Sequence, residues 1–195
     1  MSVRHLAVVA LICTLLAACG VGTVAPAPTR LDLGVAPVGQ LASPQIQPIA
    51  LPVFSAASIL HDQRVIWRMG PNGQPNSYST YLWASPPAVL VRERLFERLS
   101  LSGPVLTQDV NAEMAQLRVT LMQFEQIYSP DGQSNEAVIA LQGVLVQDGK
   151  VKGRLLVNER QLAKGNTAPA GAQALRIATD KAVQKLAQWT VLQLK

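Results

Sequence analysis

The chain is poor in the residues that most chemistry needs. Its 195 residues include only two cysteines, Cys13 and Cys19, and two histidines, His5 and His61. So few ligands cannot assemble the usual zinc sites, and a single late histidine leaves nothing for a zinc-protease helix. Charged residues make up 15% and aromatics 5%. With 49% apolar residues, the chain is still too oily for a disordered tail, so a folded domain is expected. There is no G-x-S-x-G elbow, no phosphate-binding P-loop and no G-x-G-x-x-G after a strand, so hydrolase, NTPase and dinucleotide-binding signatures are missing. Neither a long like-charge run nor a repeat of 20 to 50 residues is visible. The sequence predicts a non-enzymatic protein that needs no cofactor and no metal.

What is present begins at the start of the chain. Arg4 precedes the apolar run Leu6 to Leu16, and Ala17, Ala18, Cys19 and Gly20 follow. The run is shorter than the roughly 20 residues that span a bilayer as a helix, so it reads as a secretory signal. Leu16-Ala17-Ala18-Cys19 resembles the bacterial lipobox, in which the signal is cut just before a cysteine that then carries diacylglycerol. On this reading residues 1–18 are the signal, Cys19 is the lipidation site, and no disulfide is available within the mature monomer. Acyl chains on Cys19 would anchor the protein stably, each buried methylene contributing about 0.8 kcal/mol. Gly20 takes the position where inner-membrane retention usually needs aspartate, which points to the outer membrane.

Residues 19–30 form an anchored tether, since Gly20 to Thr29 is small and uncharged and carries Pro26 and Pro28. Residues 31–195 are expected to make one domain. Leu31 to Val35 is a possible short strand, and a loop through Pro44 leads to a run from Ile46 to Phe54. Pro48 and Pro52 make that run an edge strand or an interrupted one. Arg64 to Met69 reads as a strand, followed by a loop that carries Tyr78, Tyr81 and Trp83. Pro86 and Pro87 suit a helix start, and Val91, Leu95, Phe96 and Leu99 recur at helical spacing through Leu101. Arg92, Glu93, Arg94, Glu97 and Arg98 would make its wet side.

Leu117 to Tyr128 alternates as a strand should. Ala137 to Val146 is nearly continuously apolar, the pattern of a central strand covered on both faces. Asp148-Gly149 is a hairpin signal, with Val151 to Glu159 returning. A helix from about Pro169 to the end closes the chain, with Ala174, Leu175, Ala178, Ala182 and Leu186 as its apolar stripe. Short strands interleaved with two helices argue for an α/β fold, a mixed sheet packed with helices.

The formal charge of +5, from 17 Lys and Arg against 12 Asp and Glu, mildly favours anionic surfaces. Nucleic acid is disfavoured, because export removes the chain from the cytoplasm. Arg64, Trp67, Arg68, Tyr81 and Trp83 are the candidate docking residues, since aromatic rings and guanidinium groups favour interfaces. Alternatively, Trp67 and Trp83 anchor the core and the arginines are solvated. His61 and Asp62 could join a Ser-His-Asp set only if adjacent side chains converged, and on extended chain they point apart.

The residues LPVF at 51–54, SAASILHDQRVIWR at 55–68 and YSTYLWASPPAVLVRERLFERL at 78–99 carry a resemblance to a known family. They resemble the ABC-type transport auxiliary lipoproteins, the PqiC-like lipoproteins that accompany MCE-type lipid transporters. Leu51, Pro52, Gln63, Val65, Ile66, Arg68, Tyr81, Trp83 and Leu95 fit the family pattern, while Phe54 and Ile59 stand where tyrosine and leucine are common. LMQFE at 121–125 and the C-terminal helix extend the likeness over most of the mature chain. The resemblance implies a periplasmic α/β domain similar to the TolB N-terminal type. Its partners would be an MCE-domain protein and the ABC transporter subunits, which hydrolyse ATP on a separate chain. A lipid-binding module that itself carries a phospholipid, or a tethered hydrolase, are the alternatives.

Overall fold

The computed structural model of the chain describes residues 26–37, 46–108 and 113–194. The expected signal peptide, Cys19 and the start of the tether lie outside the described residues. In chain order the elements are β1 (Thr29–Leu31), β2 (Ile49–Ala56), a 3₁₀ turn (Ser58–His61), β3 (Arg64–Met69) and β4 (Asn76–Trp83). Then come helix α1 (Pro87–Ser100), β5 (Val105–Leu106), β6 (Ala115–Tyr128), β7 (Asn135–Gln147), β8 (Lys150–Leu162) and helix α2 (Ala168–Gln193). The described strands form one mixed eight-stranded sheet packed with the two helices, the α/β class that the pattern of the sequence predicts.

Strand β6 is the spine of this sheet. One edge pairs antiparallel with β7 along its length, and β7 in turn pairs antiparallel with β8. The other edge is shared: the first half of β6 pairs parallel with β2 and the last three residues pair parallel with β3. An extra residue, Met122, lies between the pairs Leu121–Leu141 and Gln123–Ala140, and this bulge divides the two halves. Beyond β3 come β4, antiparallel, and β1, parallel to β4. The β7–β8 connection is a two-residue turn in which Asp148 (φ 53°) and Gly149 (φ 68°) are both left-handed. That backbone matches the twist of the flanking strands, and Asp-Gly tolerates it better than most pairs.

Both helices lie on one face and touch each other. Helix α1 begins with Pro87, whose missing N–H is one of the groups a helix start leaves unpaired anyway, and it buries Leu90, Val91, Leu95 and Leu99. The N–H of Ala170 donates to Thr167 Oγ1 at 3.3 Å, which caps α2. The alanine stripe of α2 and Gly143 of β7 let helix and sheet approach closely. A Cβ at Gly143 would stand 2.4 Å from Leu186 Cδ1. In the core, Trp83 meets Phe124 edge-on at 5.3 Å between ring centroids.

Several expectations need correction. Residues 76–83, expected as loop, are strand β4, whose aromatic side chains supply burial that its serines and threonine hid from a periodicity argument. The expected strand at Leu31 to Val35 is β1 at Thr29–Leu31, and the chain then leaves the sheet. Pro52 does interrupt β2, where the pairing with β6 shifts register between Ala50 and Val53. The strand is not an edge throughout, because β5 pairs with Ile49 and Ala50. Arg94 is not on a wet helix side. It is 5% exposed, with Nη1 donating to Asp180 of α2 at 2.8 Å and Nη2 to the carbonyls of Leu33 and Gly34 at 2.9 and 2.5 Å. Strand β7 is central, but helices cover only one of its faces. On the other, Val138 is buried between Glu125 and Arg160 in register, while Gln142, Val144 and Val146 remain half-buried.

Candidate functional site

The alternation of β6 puts Phe124, Gln126 and Tyr128 on the helix side of the sheet. Strand β3 adds Trp67, opposite Gln126, and β4 adds Tyr78 and Tyr81. Past the N-terminus of α2 these rings form a half-buried aromatic shelf. Trp67 lies 6.1 Å from Tyr78 and 5.8 Å from Tyr128 between centroids, and Tyr78 meets Tyr81 edge-on at 6.1 Å. Tilted and edge-to-face pairs at this spacing are attractive beyond their buried area.

Hydrogen bonds hold the shelf from below. The two hydroxyls of Tyr78 and Tyr128 are 2.6 Å apart, and Tyr78 donates to Gln126 Oε1 at 2.8 Å. Gln126 Nε2 donates to Asn135 Oδ1 at 2.7 Å, and Asn135 Nδ2 donates to the Gly165 carbonyl at 2.8 Å and Asn166 Oδ1 at 2.7 Å. Asn166 Nδ2 then reaches the carbonyls of Gly132 and Gln133, both at 3.0 Å. The chain of bonds joins β4, β6, β7, the β6–β7 turn and the loop before α2. Gly171 makes room for it, since a Cβ there would stand 2.2 Å from Gln126 Oε1. Burial, and next the Tyr128 hydroxyl, push Tyr78 well above the ordinary tyrosine range, so it stays a neutral donor.

The five docking candidates do not converge. Trp83 is 1% exposed and belongs to the core, so it presents no surface to a partner. Trp67 and Tyr81 are half-buried members of the shelf. Alternation along β3 puts Arg64 and Arg68 on the opposite side of the sheet from Trp67. Arg64 is exposed and clasps Asp62, with Nε and Nη2 at 2.7 and 2.6 Å from Oδ2. That bond holds the Asp62 carboxyl below the usual range. Arg68 bonds Glu125 Oε2 through Nε and Nη2, both at 2.7 Å, and the Gly73 carbonyl at 3.0 Å.

Sequence reasoning missed Tyr128, Gln126 and Asn135 as parts of the site. The signal was there in the i, i+2 spacing of Phe124, Gln126 and Tyr128. His61 is exposed, with its Nε2 3.3 Å from the Ala56 carbonyl, and Asp62 is engaged by Arg64 instead. Cys19 lies outside the described residues. Among the described residues no cluster of histidine, cysteine or acidic side chains is spaced to hold a metal ion, and no helix is long and apolar enough to cross a membrane. An open groove of about 510 Å³ lies between α1 and β2, with Phe54 and Phe96 as its apolar walls and Arg92 and Glu93 at its rim.

No family model matches the sequence, and no curated protein matches it. Solved structures do. A crystal structure of a Xanthomonas campestris protein of the DUF330 family aligns with TM-score 0.68 at 20% identity, over 86% of this chain and 95% of that one. The two share a fold. A second crystal structure, of an uncharacterized protein, aligns with TM-score 0.63 at 19% identity, over 78% of this chain and 96% of its own. In both cases nearly the whole of the neighbour is spanned, so the likeness is to a whole fold rather than to one motif within it.

Proposed function

We propose that the chain is an outer-membrane lipoprotein, anchored through Cys19 and facing the periplasm, that acts as a non-enzymatic auxiliary component of an ABC/MCE-type lipid transport system. The aromatic shelf of Trp67, Tyr78, Tyr81 and Tyr128 is the observation that carries the docking role. Large rings, half exposed and held rigid by hydrogen bonds, lose little conformational entropy on binding, the property of an interface anchor. The lipobox-like Leu16 to Cys19 supports the anchor, Gly20 supports the outer membrane, and the resemblance of residues 51–99 to the auxiliary lipoproteins supports the partner. The fold shared with a DUF330 protein is compatible with each of these.

The test uses the intact protein purified from membranes. Mass spectrometry should find an acylated N-terminal Cys19, and an MCE-domain protein should co-purify. Trp67→Ala and Tyr81→Ala should each lose the partner while leaving the circular dichroism unchanged. An unmodified start at any other residue would sink the anchor, and folded variants that keep the partner would move the docking surface elsewhere.

A further inference from the structure

The helices cover one face of the sheet; the other carries a basic surface that the docking role leaves unused. Its registers define three rows across the strands. Val53, Arg118, Val144 and Arg154 form one; Ser55, Thr120, Gln142 and Leu156 a second; Gln116, Val146 and Val151 a third. Arg118 and Arg154 are both exposed and flank Val144 two strands apart, a separation of about 10 Å. Arg118 Nη2 donates to the neutral Gln116 side chain at 3.2 Å. Toward the β7–β8 tip, exposed Lys152 is the extra residue at a register shift and shares the face of Val151 and Arg154, whereas Lys150, opposite Gln147, belongs to the helix side. Among the described residues, none of Arg118, Lys150, Lys152 and Arg154 forms an ion pair. Among the described residues the exposed acids at this end are Asp148 in the turn and Glu113, three residues before Gln116, neither of them in an ion pair, while Glu136 and Glu125 are neutralised by Arg160 and Arg68. Val151 and Leu156 are 68% and 64% exposed.

We propose that this face, centred on Arg118, Lys152 and Arg154, rests on the anionic headgroups of a phospholipid bilayer. Charge decides the occupant. A second copy of this chain would bring the same unpaired cations against themselves, so self-association through the face is opposed. The three rows hold no aromatic side chain, whereas protein interfaces are enriched in aromatics; the rings of this molecule gather on the helix side. Isolated, exposed aliphatic residues set among lysine and arginine are the pattern of shallow interfacial contact. The aliphatic tips reach past the phosphates and the cations stay level with them. The consequence is an orientation: with the basic face down, the aromatic shelf is turned away from that bilayer.

The experiment reconstitutes the intact chain into vesicles of phosphatidylcholine alone or with roughly one-third phosphatidylglycerol, and follows labelling of Lys152 by an amine-reactive ester, with exposed Lys164 as the internal reference. Each cation near an anionic surface strengthens partitioning by about fivefold. Labelling at Lys152 should therefore slow by about fivefold or more relative to Lys164 in anionic vesicles only, and the protection should vanish at high salt. The double variant Arg118→Glu with Arg154→Glu, at exposed positions, should remove the protection without salt. Equal labelling in both vesicle types overturns the proposal. Protection found in native membranes but not in anionic vesicles would also overturn it, assigning the face to an acidic protein. These outcomes are read apart from co-purification of a transport partner, which tests the opposite face.

Discussion

Replacing Arg94 with methionine tests the central joint of the molecule. The guanidinium ties α1 to Asp180 of α2 and to the Leu33 and Gly34 carbonyls, which brings the segment after β1 down onto both helices. Methionine keeps most of the apolar stem and removes all three bonds. Removing one partner of a buried ion pair typically costs 3–5 kcal/mol, because the other charge is left without compensation. Asp180 retains some solvent and the field of Arg176, so about 3 kcal/mol is expected. In urea, with a slope of about 2 kcal/mol/M, the unfolding midpoint should fall by about 1.5 M.

The pH dependence is the sharper readout. Burial raises the Asp180 carboxyl above its ordinary value against the opposing pull of Arg94 and Arg176. A group whose folded pKa is raised gives stability that is present below its unfolded pKa and lost as pH rises through the folded one. Taking Arg94 away raises the carboxyl further, so the deficit of the variant should be largest at pH 7 and shrink on acidification, as Asp180 takes up its proton and no longer needs a compensating charge. A loss under about 1 kcal/mol at pH 7, or a deficit that grows on acidification, would refute the assignment of Arg94 as a buried, charge-compensated clasp.

Trp83→Ala should cost about 3–5 kcal/mol by thermal unfolding, because the indole is enclosed and packs on Phe124, whereas a surface docking residue would cost little. Tyr78→Phe should lower stability by about 1–2 kcal/mol in denaturant titration, since Gln126 Oε1 loses its donor and the Tyr128 hydroxyl keeps only the 3.2 Å bond from Gln126 Nε2. Gly171→Ala should cost about 1–3 kcal/mol, because the new methyl runs into a Gln126 amide that its hydrogen bonds hold in place. Gly149→Ala has open space around its Cβ, so any loss, about 1 kcal/mol, should come from the left-handed backbone alone.

Where a local rule was strong, the structure follows the sequence. Pro87 opens α1, Asp148-Gly149 turns the β7–β8 hairpin, and β3 spans Arg64–Met69 as its flanking loop signals suggest. The rule failed where burial came from a distant partner. Arg94 looked like one more charge on a solvated helix side, and nothing within its own helix indicates that Asp180, 86 residues later, would meet it. Strand β4 reads as loop because asparagine, serine and threonine fill it; its partners β1 and β3 supply the missing ladder. The aromatic shelf was half legible: Trp67, Tyr78 and Tyr81 stand out by proximity in sequence, but Tyr128 and Gln126 join them only because β6 runs beside β3.

The amino-acid sequence by itself determined the elements whose causes are local: the hairpin turn, the helix starts, the alternation of β6 and the apolar run of β7. Each follows from backbone sterics or from the period of side chains along one segment. Only the tertiary structure decided which face of each element is wet. Placing both helices on the same side of the sheet buried Trp83 and Arg94, gathered the aromatic rings past the end of α2, and left Arg118 and Arg154 flanking Val144 on a face that neither helix covers. Sidedness is a property of how segments pack, and a residue's own neighbours in the chain carry no record of it.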